Sequence, residues 1–144
     1  MTAPSPSWEL QRAVVALLAS TDDVKALLGL DPTRVYDDVP DKALSPYAIV
    51  GDDDETSAES EEVPGSAHSF AVTVVTTSIG FKECKTIAEV VKTALNDVLL
   101  DIPGFDVTPI HWRTTAHRTF PDRATLRMSR LVFETELRPT PLEE

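Results

Sequence analysis

At 144 residues the chain has the length of one domain, enough to bury most of its apolar surface without staples, and its single cysteine, Cys84, excludes an intrachain disulfide or a multi-cysteine zinc site. A formal net charge of −11 argues against binding naked nucleic acid, because neutralising phosphates takes surplus Lys and Arg. The longest apolar run, Ala13 to Ala19, is far short of the ~20 residues that span a membrane. It also follows Glu9 without a basic stretch, so the expectation is a chain that folds in a cytoplasm, with no membrane partner.

Ser5 and Pro6 read as the N-cap and first residue of a helix whose buried stripe is Leu10, Val14, Leu17 and Leu18. Trp8 lies in its first turn, and packing into the core is the favoured place for it, ahead of a neighbouring subunit. Thr21 restarts a short second helix with Asp22 and Asp23 at its positive end, and Gly29 stops it. Residues 1–30 are thus expected to form a bent helical arm. Asp31-Pro32 makes a turn, Arg34 to Tyr36 a brief strand, and Tyr47 to Val50 a compact apolar strand that leaves through Gly51.

From Asp52 to Glu62 the chain carries seven carboxylates, Asp52, Asp53, Asp54, Glu55, Glu59, Glu61 and Glu62, with no Lys or Arg. Such a segment cannot bury itself, and residues 52–66 read as an acidic loop between antiparallel strands. Phe70 to Thr77 then alternates as a strand, Gly80 breaks it, and the period changes to about 3.6. Ile87, Val90, Val91, Ala94, Leu95 and Val98 form one helical stripe opposite Lys82, Lys85, Glu89, Lys92 and Asn96. After Pro103-Gly104, Phe105 to Trp112 starts a strand bent at Pro109. Phe120-Pro121-Asp122 turns into a last strand over Leu126 to Leu137, and residues 139–144 are expected to extend away as a tail. The expected fold is α+β: an antiparallel or mixed sheet of about four to five strands, the N-terminal helical arm, and one amphipathic helix packed on one face.

Charge is segregated. Arg113, Arg118, Arg123, Arg127 and Arg130 lie between His111 and Arg130 with one acid, Asp122, so a basic hairpin stands apart from the acidic loop. In a head-to-tail ring each basic hairpin would approach a neighbour's acidic surface. No catalytic pattern emerges. Consecutive Asp52, Asp53 and Asp54 point to alternating faces of an extended chain, and the loop lacks the ligand spacing of a calcium loop. His111 and His117, an even six apart, fall on one face of a straight strand but about 20 Å from each other. Neither a Gly-x-Ser-x-Gly elbow nor a glycine-rich phosphate loop is present, and no cofactor or metal is expected.

Two stretches carry a resemblance: Arg34-Val-Tyr-Asp-Asp-Val-Pro-Asp followed by Pro46-Tyr-Ala-Ile-Val-Gly51, and His68 through the strand into Gly80-x-Lys82-Glu-Cys-Lys85-x-Ile87-Ala. They resemble the tail completion family of long-tailed bacteriophages and gene transfer agents, the tail terminator or tail-to-head joining proteins. The resemblance implies a non-enzymatic virion subunit whose homo-oligomer, a hexameric ring, caps the tail tube protein and docks on the head connector or stopper protein. DNA passes through such a ring without specific binding. Interface residues are then sought among the seven carboxylates and Arg113, Arg118, Arg123 and Arg127, with the acidic loop facing the channel or the axial surface. Another neck protein, such as a head-tail stopper or minor tail protein, is the alternative. A metal enzyme built on the carboxylates is a remote one.

Overall fold

The computed structural model describes residues 5–58, 64–120 and 123–140, with the backbone alone at 123 and 124. In chain order the elements are α1 (Pro6–Ser20), α2 (Asp22–Leu28), β1 (Val35–Tyr36), β2 (Tyr47–Ser57), β3 (Ser66–Thr76), α3 (Lys82–Leu95), β4 (Phe105–Val107), β5 (His111–Phe120) and β6 (Arg123–Pro139). The strands form one mixed, six-stranded sheet in the order β1-β2-β3-β6-β4, with β5 also on β6. Among the described residues only β1 runs parallel to its neighbour.

Alternation dictates which face is covered. Phe70, Val72 and Val74 of β3 and Leu131, Phe133 and Leu137 of β6 point to the helices, where they meet Cys84, Ile87, Ala88, Val91 and Leu95 of α3. The Phe70 and Phe133 rings stack at 5.5 Å across the central strand pair. Leu10, Val14 and Leu18 of α1 and Val24 and Leu28 of α2 join the same core. Helices α1 and α2 are the bent helical arm expected from the sequence, and their apolar stripe lies in this core. Trp8, by contrast, is 48% exposed and lies outside that core.

Two further expectations change. Residues 52–66 are not all loop: Asp52–Ser57 continues β2, because β3 begins at Ser66 and its main chain gives Asp54 to Ser57 partners whatever their side chains. A bulge between Gly51 and Asp54, with Asp52 at φ 54°, absorbs the irregularity, and the hairpin closes where Ala58 N–H donates to Gly65 O at 3.0 Å. Glu59, Glu61 and Glu62 lie outside the described residues. Likewise the C-terminal segment does not depart at 139, since Pro139 ends β6 opposite Phe105 and Thr140 N–H donates to Gly104 O; residues 141–144 lie outside the described residues. The strand expected over Phe105 to Trp112 divides at Thr108 to Ile110 into β4 and β5, which is why the sheet has six strands.

Leu95 is fully buried between α3 and the sheet. Replacing it with Ala is expected to cost about 2–5 kcal/mol, read as a lowered denaturation midpoint without loss of helical signal in the folded baseline.

Candidate assembly surface

The sheet's register sets the positions of the charged hairpins. Ser66 of β3 faces Leu137 of β6 and Thr76 faces Arg127, so the β2–β3 hairpin emerges at one end of the sheet and the β5–β6 hairpin at the other. Eleven residues of β3 separate them, about 35 Å of extended chain. The two hairpin turns thus lie at opposite ends, while Arg113, level with Phe70 and Ala71, and Arg130, level with Thr73, sit along the sheet near Asp52 and Asp54.

Not every charge on these segments is available. Asp52 is exposed and reaches Arg130 at 3.6 Å, while Asp54 and Glu55 are exposed. Asp53 turns inward instead: it accepts from the Ser7 hydroxyl of α1 and lies 3.3 Å, through either oxygen, from Nδ1 of buried His68. On the basic side Arg113 pairs with Glu134 at 3.4 Å, and the Arg127 guanidinium sits 5.5 Å from the Phe81 ring centre. Arg118 is exposed and donates to its neighbour's carbonyl, His117 O, at 2.9 Å. Ion pairs this exposed hold little stability, so these groups can exchange partners at modest cost. The side chain of Arg123 is outside the description.

Ser66, His68 and Asp53 form a network that sequence reasoning missed. His68 Nε2 lies 2.8 Å from Ser66 Oγ, giving the hydroxyl, imidazole, carboxylate order of a hydrolytic triad. The hydroxyl and imidazole are sealed in, however, at 8% and 1% exposure, so no substrate carbonyl reaches Ser66. What the network does is fasten the start of α1 to the bulge of β2 and to β3. The signal was in the alternation: His68 shares the inward phase of Phe70, Val72 and Val74. Replacing Asp53 with Ala leaves a buried imidazole nitrogen without its acceptor. The expected loss is about 1–3 kcal/mol in a denaturant titration, and Asp53→Asn, which keeps an acceptor, should lose less.

The histidines of β5 also differ from expectation. A bulge between Trp112 and Thr114 inverts the phase, so His111 lies opposite Glu134 on one face and His117 opposite Ser129 on the other. His117 Nδ1 lies 2.6 Å from Ser129 Oγ, which is itself 3.0 Å from Cys84 Sγ. Burial pushes the Cys84 thiol above its usual range, which keeps it protonated and inert. Burial also lowers the pKa of His117 below the ordinary 6.5, helped by repulsion from Lys85 and Arg118. The unfolded chain therefore takes up this proton first. The stability His117 contributes is fully present above about pH 6.5 and is lost as pH falls through the lowered folded value. Melting temperatures measured from pH 7.5 down to 5 should fall less steeply for His117→Gln than for the native chain.

Comparison with known proteins gives a family match and matches among solved structures. The sequence profile of the family described as Tail completion protein gp17 matches residues 12–136. A chain in a solved structure, the virion of a native gene transfer agent particle, superposes with a TM-score of 0.85 at 28% identity, covering 94% of this chain and 99% of that one. No curated protein matches.

Proposed function

Because the chain belongs to the tail completion protein gp17 family and is a structural component of a virion tail, we propose that it forms a closed, hexameric ring that terminates the tail tube and joins the tail to the head connector. One observation carries this reading beyond the family: β3 sets the acidic β2–β3 hairpin and the β5–β6 turn beside Arg118 at opposite ends of the sheet, which gives each subunit two unlike surfaces. Unlike surfaces make heterologous contacts, and these either close into rings or run on as filaments. The adjoining partners are the tail tube protein on one side and the head connector or stopper protein on the other.

The acidic hairpin serves the axial side of the ring, at or near the channel. A run of carboxylates there repels the phosphates of passing DNA. DNA then crosses without being held. The basic turn, with Arg118 and Arg123, supplies contacts between subunits or to the next ring. Exchanging both for Glu should leave the isolated fold's melting temperature nearly unchanged while reducing attachment to tails; undiminished attachment would remove the hairpin from the interface.

Particles assembled without this protein decide between joining roles. A terminator's absence leaves overlong tails in electron micrographs, which is the result expected here. Tails of normal length beside heads that leak DNA would assign the chain to the stopper position instead.

A further inference from the structure

Resting on the ring reading, we propose that the seam between subunits is a shared β-sheet, with the outer edge of β5 in one copy pairing with the outer edge of β2 in the next. The starting point is two edges left open. Strand β1 covers β2 only at Ala48 and Ile49, and Gln11 Nε2 of α1 takes up Val50 O. Beyond them, among the described residues, no strand pairs with the outer side of Gly51 to Ser57. At the other margin of the sheet, Asn96 Oδ1 accepts from Trp112 N–H at 3.0 Å, and beyond it no described strand pairs with the outer side of Arg113 to Phe120. Long, proline-free edges of this kind are templates for another strand.

The two edges match in charge. Gly51 to Ser57 holds four carboxylates and no base, whereas Arg113 to Phe120 holds Arg113, His117 and Arg118 and no acid. They also match in direction. Strands β2, β3, β6 and β5 alternate, so β5 runs opposite to β2, and rotation about a ring axis along the strands brings them together antiparallel.

One register between the two edges suits closure. Asp54 is level with Ser69, while Ala116 is level with Arg130 and hence with Thr73, four residues further along β3. Four residues are about 13 Å, and the four strands between the edges are about 19 Å across. Bringing Asp54 opposite Ala116 therefore tilts the strands by about 35°, at the edge of the range found in closed barrels. With that register Arg118 falls beside Asp52 and Asp54 on the sheet face away from the helices. Its bond to His117 O and the weak contact of Asp52 with Arg130 are what the pairing replaces.

Backbone hydrogen exchange on the full chain as a ring, with ring size read by native mass spectrometry, tests the seam separately from the ring. Amides of residues 51–57 and 114–120 should exchange at least tenfold more slowly in the ring than in chain diluted until rings dissociate. Arg118→Glu and Asp54→Arg should each raise the concentration for half-assembly at least tenfold, and the two together should bring it back within about threefold of native. A native ring in which residues 114–120 exchange as fast as in the free subunit overturns the shared sheet and leaves the ring standing, as does a double variant no better than either single one. Absence of closed rings both in solution and on particles overturns the ring reading and the seam with it.

Discussion

The β3–β6 ladder is the constraint on which the rest of the molecule depends. It runs unbroken from Ser66 with Leu137 to Thr76 with Arg127, so fixing one pair fixes all, and a slip by one residue would turn Phe70, Val72, Leu131 and Phe133 out of the core together. Strand β6 then works as a spine. Its 17 residues serve β3 along one side and, on the other, β4 near its C-terminal end and β5 over the remainder. The positions of the charged hairpins and of the open edges follow from this one register.

Polar fastenings tie the helices to that spine at points where apolar packing alone would allow sliding. Asp53 and His68 hold the start of α1 against the bulge, and Ser129, between Cys84 and His117, ties α3 to β6 and β5. Both are short of water and directional, so they select one arrangement among packings of similar area. The bulges beside them have the same logic. The irregularity at Asp52 and Asp53 lets one carboxylate face the core while its neighbours face solvent, and that near Arg113 lets β5 show His111 and His117 to different sides.

Much of this was legible in the residues. The stripe of α3, the alternation of β3 and the Ser5-Pro6 helix start follow periods or turn chemistry that act within a few residues, while the turn expected at Pro121-Asp122 lies outside the described residues. What was not legible depended on distant partners. Asp52 to Ser57 reads as loop because its side chains favour water, yet strand formation there was decided by the main chain of β3 across the hairpin. Bulges leave no mark in a one-residue pattern, so the face of His117 and the inward turn of Asp53 could be found only in three dimensions. Trp8 failed for the opposite reason: hydrophobicity places a side chain in the core only where the core has a vacancy facing it.

The placement of charge on strands, and not merely on loops, bears on how open edges are kept from indiscriminate pairing. An exposed edge invites any other edge, including its own copy in a second molecule. Two β2 edges brought together would set Asp52, Asp54 and Glu55 against the same three, and two β5 edges would set Arg113 and Arg118 against each other. Like charges directly opposite destabilise strand pairs, so both self-pairings are disfavoured while the unlike pairing is favoured. Self-pairing of identical edges would produce two-fold dimers, and only the unlike pairing propagates in one direction around an axis. Three outward carboxylates on β2 and a basic strand at the opposite margin of the same sheet therefore do more than keep the chain soluble. On the proposed seam they disfavour the symmetric dimer, the assembly that competes with a ring.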